Sequence, residues 1–469
     1  MYGSYKKHKQ PLHFVGIGGV GMSGIAEVLL RLGFPVSGSD ANDSPTVQRL
    51  VGLGAKIFIG HKAENLVNAK VLVYSSAISF DNPEMQEAKR QGMPLVTRAE
   101  MLAELMRLKL GIAIAGTHGK TSTTSLVSAI LTEAKLDPTV IVGGRVASLG
   151  CNAHLGTGDF LVAEADESDG SFLRLSPVIS AVTNIDNDHM DFYSSMETLK
   201  RAFLEFINKT PYYGRAVLCS DDKIISELLP LVQRPFWTYG FDKQKTNHQS
   251  TTHLQITDYE TTQDGCRFII LRNNQRLCPV ALRFPGRHYA LNATAAMAIA
   301  LELDIDASVA AKALGGFTGV GRRFELKGHL HKPAVTIIDD YGHHPTEIMA
   351  TLQAARSYRP RQRLVVAFQP HRYSRTEQCW DQFAPSLALA DQIYLLDIYA
   401  AGETAKPGID SATLAQAIAS SGKSVVHSGD LKSTAKLLKS GLQDGDLLIT
   451  LGAGSVTQLG PMLLGPSSV

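Results

Sequence analysis

The chain contains no run of 18 apolar residues, which excludes a transmembrane helix. No apolar segment follows the basic start Lys6-Lys7-His8-Lys9, so that start reads as a solvated tail rather than a targeting signal. Cysteine is scarce: Cys151, Cys219, Cys266, Cys278 and Cys379 form no C-x-x-C pair and leave an odd count. That suits reduced thiols in the cytoplasm better than a disulfide framework or a zinc site. An excess of either charge is also missing. Lys+Arg total 46 against 44 Asp+Glu, a net charge of +2, without the basic bias of a dedicated nucleic-acid binder. Internal repeats and low-complexity segments are lacking too.

A hydrophobic share of 44% over 469 residues is enough for about three domains, each with its own core. The first hundred residues alternate short apolar strands (Leu12–Val15, Pro35–Ser37, Lys56–Ile59, Val71–Tyr74, Leu95–Val96) with amphipathic helices, the pattern of a doubly wound sheet. A helix from Arg98 to about Leu108 leads to a boundary near Lys109. The central region has strands at Phe160–Ala163 and Val178–Thr183. An antiparallel meander follows from about His253 to Phe284, with turns at Asp264-Gly265 and Asn273-Asn274. Beyond a polar stretch, Lys327–Pro333, strand–helix alternation restarts. The expected architecture is α/β in three domains, residues 1–108, 109–326 and 327–469. The first and last are Rossmann-like; the central one is a phosphate-loop α/β domain carrying the meander.

The most informative segment is Gly116-Thr-His-Gly-Lys-Thr-Ser122, between the apolar run Ile112–Ala115 and a helical pattern over Thr123–Leu136. Strand, glycine turn, Lys-Thr and helix are the parts of a phosphate-binding loop. Backbone N–H groups face the phosphates, the lysine reaches the terminal ones, and the hydroxyl holds Mg²⁺. Ile114 stands where the first glycine of the usual loop would be, and the bland alternative is a plain structural turn. Placement between strand and helix points to ATP, bound by Gly116, Thr117, His118, Gly119, Lys120, Thr121 and Ser122.

A second glycine run, Gly16-Ile-Gly18-Gly19-Val-Gly21, follows the first strand, and Asp40 ends the next. Three readings fit it: a tight turn, a dinucleotide site, or a site for a diphosphate-linked nucleotide such as a UDP-sugar. Carboxylates Glu164, Asp166, Glu167 and Asp169 follow one central strand, and Asn184-Ile-Asp-Asn-Asp-His189-Met-Asp191 closes the next, a setting for Mg²⁺ or phosphate chemistry. In the last region two strand ends carry Asp339-Asp340-Tyr341-Gly-His343-His344 and Gln369-Pro-His371-Arg372-Tyr-Ser-Arg375. Arginine offers a planar fork matched to a carboxylate, so a carboxylate pocket is expected there.

Taken in order, Gly-Thr-His-Gly-Lys-Thr, Glu164-Ala-Asp, Asn184…Asp188-His189-Met-Asp191, His288…Asn292, Gly321-Arg322-Arg323-Phe-Glu325, Asp340-Tyr-Gly-His-His-Pro and Phe368-Gln-Pro-His-Arg-Tyr-Ser-Arg-Thr make the chain resemble the Mur ligases over essentially its whole length. The resemblance implies an ATP-dependent amide ligation in cell-wall (peptidoglycan) precursor synthesis. UDP-N-acetylmuramate would lie on the first domain (Gly16, Gly18, Gly19, Gly21, Asp40, Ser75), ATP and Mg²⁺ on the second, and L-alanine on the third. Lys120 would contact the β- and γ-phosphates, Thr121 and Glu164 one metal, and His189 a second. Asn292 and Arg322 would contact ATP, with Asp340 at the ribose. Tyr341, His343, His371, Arg372 and Arg375 would surround the amino acid. Lys120, His189, His343, Arg372 and Arg375 are the expected catalytic group. Tyr289 stands where the family usually has asparagine, and a carbamylated lysine used by several relatives is assigned to no position here, its presence left open. The rival within the family attaches a whole peptide to the same sugar nucleotide. Rivals from other classes are an NAD-dependent dehydrogenase and a non-catalytic nucleotide-binding module. Neither nucleic acid nor membrane is an expected partner, and the oligomeric state is left open.

Overall fold

The structure is a computed structural model describing residues 9–75, 77–142, 153–241 and 252–465. The basic start Lys6–His8 and Cys151 lie outside the described residues. Two compact units divide the chain. One comprises residues 1–257, 269–280 and 291–317, the other 258–268, 281–290 and 318–469.

The described residues form three sheets. In the first, β1 (Leu12–Val15), β2 (Val36–Asp40), β3 (Lys56–Ile59), β4 (Val71–Tyr74) and β5 (Leu95–Thr97) run parallel in the order 3-2-1-4-5. The order reverses between β1 and β4, and ligands of doubly wound sheets sit outside the carboxyl ends at such a crevice. Phe14, Val15 and Leu72 are fully buried at its core. The helix Pro83–Arg90 carries Glu84, which has no exposure at all. The Ser39 hydroxyl and the Asn65 amide each donate to this carboxylate at 2.5 Å, and His13 and His61 stand 3.8 and 3.3 Å away. Burial alone would raise its pKa, but hydrogen bonding from His13, Ser39 and Asn65 outweighs it and holds the carboxyl at about 2.

The second sheet contains β6 (Leu110–Ala115), β7 (Thr139–Ile141), β8 (Ala153–His154), β9 (Phe160–Glu164), β10 (Ile179–Val182), β11 (Arg215–Cys219), β12 (Phe236–Gly240), β13 (His253–Thr262), β14 (Gly265–Arg272) and β15 (Gln275–Leu282), in the order 15-14-13-12-11-10-6-9-7-8. β9, β6, β10, β11 and β12 are parallel neighbours buried on both faces, which explains their unbroken apolar runs. Two-residue connections join β13 to β14 and β14 to β15. Asn273 and Asn274 both take positive φ (50° and 68°), as a tight hairpin of that length requires.

The third sheet contains β16 (Glu325–His331), β17 (Ala334–Asp340), β18 (Leu364–Phe368), β19 (Gln392–Leu396), β20 (Val425–Gly429) and β21 (Leu447–Leu451), in the order 16-17-21-18-19-20. All pairs are parallel except β16 with β17. The polar stretch Lys327–Pro333, beyond which the sequence shows strand–helix alternation restarting, is therefore largely the edge strand β16. An edge strand needs only one apolar face, so its alternation of Leu326 and Leu330 with Lys327, His329 and His331 reads as hydrophilic on average. The core of this sheet holds Val335, Ile337, Val365, Leu396 and Leu448. His344 caps the helix Pro345–Tyr358 and Glu347 returns the bond.

Cys219, Cys266, Cys278 and Cys379 are buried free thiols. No helix among the described residues is long and apolar enough to cross a membrane.

Candidate active site

The first glycine run turns between β1 and the helix Val20–Arg31. Gly16 takes φ +74°, and its N–H and that of Ile17 donate to the Ser39 carbonyl at 2.8 and 3.0 Å. Asp40 closes the loop by accepting from the Gly18 N–H at 2.8 Å. Any Cβ at Gly18 would come within 2.9 Å of both the Asp40 carboxylate and Val47, so the first obstacle to a side chain there is the protein itself.

The second glycine run turns between β6 and the helix Lys120–Glu133, three residues earlier than the apolar spacing indicated. Lys120, Thr121 and Ser122 thus form its first turn, with Gly119 at the N-cap in the left-handed region (φ +85°). A Cβ at Gly116 (φ +128°) would fall 2.1 Å from the Thr183 hydroxyl, which leaves no room for any side chain. The end of β10 pins the loop. Thr183 donates to the His118 carbonyl at 2.6 Å, Asn184 accepts from the His118 N–H at 2.8 Å, and Thr117 accepts from the Asp186 N–H at 2.9 Å. His118 Nε2 stands 3.0 Å from Asp186. Asn292, expected at ATP, is buried against Gly119, where a Cβ would lie 2.8 Å from its amide oxygen.

Lys120 reaches back over the loop. Its ammonium donates to the Gly116 carbonyl at 2.6 Å and lies 2.8 Å from each oxygen of Glu167, which is 1% exposed. Burial works against the lysine's charge, but the carboxylates of Glu167, Asp166 and Glu164 outweigh it and raise its pKa. His189, in left-handed backbone (φ +59°), sets its Nε2 3.8 Å from Glu167 and 3.7 Å from Asp188. A non-glycine residue held there costs strain, and such residues concentrate at functional sites.

One cavity of about 400 Å³ is lined by Gly19, Gly21 and Ser75 together with Lys120, Glu164 and Asp166. The two glycine runs, 100 residues apart in sequence, thus open on the same space. Arg98, not singled out from the sequence, lines it as well. It pairs with Asp166 at 2.9 Å and lies where a Cβ on Gly21 would meet it at 3.0 Å. Its sequence signal, an arginine opening a helix, was too common to notice. Glu167 was visible in the acidic run, but nothing distinguished it from its neighbours.

In the other unit, His371 and His343 place their rings 5.5 Å apart, Tyr341 lies 5.4 Å from His343, and Tyr399 stacks on His371 at 5.6 Å. Burial, then the Arg375 and Arg372 cations, push the His371 pKa down to about 4, so its imidazole is neutral near pH 7. Arg375 is 8% exposed, whereas Arg372 is exposed and takes φ +67°. Glu403 accepts from the Ser374 N–H and hydroxyl, which fixes the turn between the two arginines.

Two residues given to ATP by the resemblance are engaged inside this unit. The Arg322 guanidinium donates to the carbonyls of Gly452, Ala453 and Gly454, with Asp339 3.4 Å from its Nε. Asp340 is 5% exposed and accepts from the N–H groups of Phe324 and Gly342, both at 2.8 Å, and from the Thr351 hydroxyl at 3.2 Å. Both therefore hold the loops around β17 and β21 in shape. Tyr289 is buried, stacked on Phe284 at 5.3 Å and 4.4 Å from the His288 ring, a packing role that asparagine would not fill.

The chain matches three family models: "Mur ligase family, catalytic domain" over residues 11–110, "Mur ligase middle domain" over 114–300, and "Mur ligase, glutamate ligase domain" over 322–454. It is 50% identical over 466 residues to the UDP-N-acetylmuramate–L-alanine ligase of Trichlorobacter lovleyi, covering 99% of each chain. It is 53% identical over 454 residues to the protein of the same name from Oleidesulfovibrio alaskensis, covering 97% of this chain and 98% of that one. Among solved structures it is similar to the UDP-N-acetylmuramate-alanine ligase of Thermotoga maritima, with TM-score 0.81 and 29% identity over 97% of this chain and 98% of that chain. The order of its motifs, the three sheets and these likenesses agree: the chain belongs to the Mur ligase family.

Proposed function

We propose that the chain joins L-alanine to the lactyl carboxylate of UDP-N-acetylmuramate at the expense of ATP, in peptidoglycan precursor synthesis in the cytoplasm. The observation that carries this reading is the cavity shared by a glycine turn without a lysine and a glycine turn with one. A phosphoryl acceptor brought in on a pyrophosphate and the γ-phosphate of ATP would then meet in one space. Residues 1–108 hold the sugar nucleotide, 109–326 ATP, and 327–469 the amino acid.

A carboxylate does not acylate an amine unaided, because its oxygen is a bad leaving group. The lactyl carboxylate attacks the γ-phosphorus and ADP leaves, giving an acyl phosphate. The neutral alanine amine adds to its carbonyl, and the tetrahedral intermediate expels inorganic phosphate. Lys120 stabilises the charge on the transferring group. Gly16, Gly18, Gly19, Gly21, Ser75 and Asp40 place the sugar nucleotide. Arg372 and Arg375 hold the alanine carboxylate, with Tyr341, His343 and His371 around the amine. Thr121 and Glu164 would hold Mg²⁺, and His189 a second ion. These donors fit: hydroxyl and carboxylate oxygens suit a hard cation, and Glu164 lines the same cavity as Lys120. When bound, the cations neutralise the charge of the phosphates.

Phosphate release should require UDP-N-acetylmuramate, alanine and ATP together, with no change at 340 nm in the presence of NAD(P)H. Competition between alanine and the tripeptide alanyl-glutamyl-diaminopimelate decides within the family. Preferential ligation of the tripeptide would overturn the alanine reading.

A further inference from the structure

Glu164 has a task in the reading above, but Glu167 has none, although it is 1% exposed and sits nearest the loop lysine. Its backbone is clamped, since its carbonyl accepts from the Tyr193 hydroxyl at 2.5 Å and from the Gly170 N–H at 3.0 Å. The carboxylate is therefore fixed in place. An ammonium has three N–H donors. Those of Lys120 face the Gly116 carbonyl at 2.6 Å, the Thr117 carbonyl at 3.2 Å and both Glu167 oxygens at 2.8 Å. A phosphate oxygen arriving at this loop must take over one of these bonds, and it does so beside a buried carboxylate of its own sign, whose pKa burial pushes up to about 7 against the pull of Lys120. His189, with its Nε2 3.8 Å from Glu167 Oε1, sits where a cation could offset that charge.

We propose that Glu167 is a positioning residue that makes engagement of the nucleotide phosphates by Lys120 conditional on a divalent cation. Its carboxylate holds the ammonium over the loop, and it yields part of that pair only when a cation neutralises the phosphates alongside. This rests on the assignment of ATP to the second glycine loop. A buried ion pair with a merely structural role would affect stability on removal and leave the metal dependence of binding unchanged.

The test is calorimetry of ADP binding with and without Mg²⁺ for the full chain, Glu167→Gln and Glu167→Asp. Glutamine keeps the shape and an acceptor for Lys120 but removes the charge. Glu167→Gln should bind metal-free ADP on the order of tenfold more tightly than the unaltered chain, because one close like charge is gone. The gain in affinity from Mg²⁺ should shrink by a similar factor, and turnover should fall as Lys120 loses its fixed position. Glu167→Asp should keep the Mg²⁺ dependence. Metal-free affinity unchanged or weaker in a folded Glu167→Gln protein would overturn the proposal. So would an unaltered chain that binds ADP equally well with and without Mg²⁺, a result that stands even if Glu167→Gln does not fold. An unaltered chain that binds ADP under neither condition would instead overturn the ATP assignment itself.

Discussion

The two glycine loops share a backbone plan, and each is braced by a buried carboxylate, but the carboxylates do opposite things. At the first loop, Glu84 bonds to the framework: Ser39, whose carbonyl receives the loop's N–H groups, and Asn65. Its charge is satisfied by that framework, and the loop itself carries no cation. At the second loop, Glu167 bonds to the loop's own lysine. Gly16 in the first loop and Gly116 and Gly119 in the second take positive φ, which shapes each strand-to-helix turn but does not by itself say which anion it serves. The charges set around it assign the anion. A framework-braced loop suits a phosphate group that is held while chemistry happens elsewhere. A loop with a fixed lysine suits a phosphoryl group that is transferred.

That contrast breaks most visibly at Lys120. Lys120→Ala should lower turnover on the order of 10²-fold or more by removing charge stabilisation at the transferring group, while UDP-N-acetylmuramate binding survives. Steady-state phosphate release alongside calorimetry with the sugar nucleotide checks both halves. Near-normal turnover in a folded protein would rule out the assignment.

Glu84 tests the other side. Its folded pKa of about 2 lies below the ordinary 4.5, so it stabilises the fold at pH values above 4.5. That contribution is lost as the pH falls from 4.5 towards 2, and the shift corresponds to about 3 kcal/mol. Glu84→Gln should therefore lower stability at pH 7 by roughly 2–3 kcal/mol and flatten its acid dependence over that window, as measured by urea unfolding. Phosphate release at saturating substrates should change little, in contrast to Lys120→Ala. A comparable loss of turnover would erase the distinction between a bracing and an acting residue.

A smaller effect is expected where neither loop is touched. Arg375→Lys keeps the charge but loses the planar fork, and should raise the Michaelis constant for alanine by roughly tenfold while those for ATP and UDP-N-acetylmuramate stay near their original values. A rise shared equally among the three substrates would point to a folding defect instead of a lost carboxylate contact.

Much of this was legible in the sequence, for identifiable reasons. Strand ends and glycine turns are local features, so the strands Leu12–Val15, Lys56–Ile59 and Val71–Tyr74 were read to the residue. The edge strand β16 was not, because one solvent-facing side dilutes its apolar signal. Partners that meet only in three dimensions were also hidden. No spacing rule links Glu167 to Lys120 across 47 positions, or Arg98 to Asp166 across 68. The left-handed backbone at His189, Arg322 and Arg372 carries no sequence mark, since none is a glycine. Chemistry-bearing residue types were visible in the sequence; their partners were not, among them the loop hydrogen bonds that Arg322 and Asp340 make within their own unit.

The division of labour between the loops is tested most directly by titrating Gly18→Val and Lys120→Ala separately with UDP-N-acetylmuramate and with a non-hydrolysable ATP analogue. A valine at position 18 must displace Asp40 and Val47 and so deform the first loop. The expected pattern is crossed: Gly18→Val loses the sugar nucleotide and keeps the ATP analogue, whereas Lys120→Ala weakens the ATP analogue and keeps the sugar nucleotide. A folded Gly18→Val protein that loses the ATP analogue and still binds UDP-N-acetylmuramate would show that the two sites had been assigned the wrong way round.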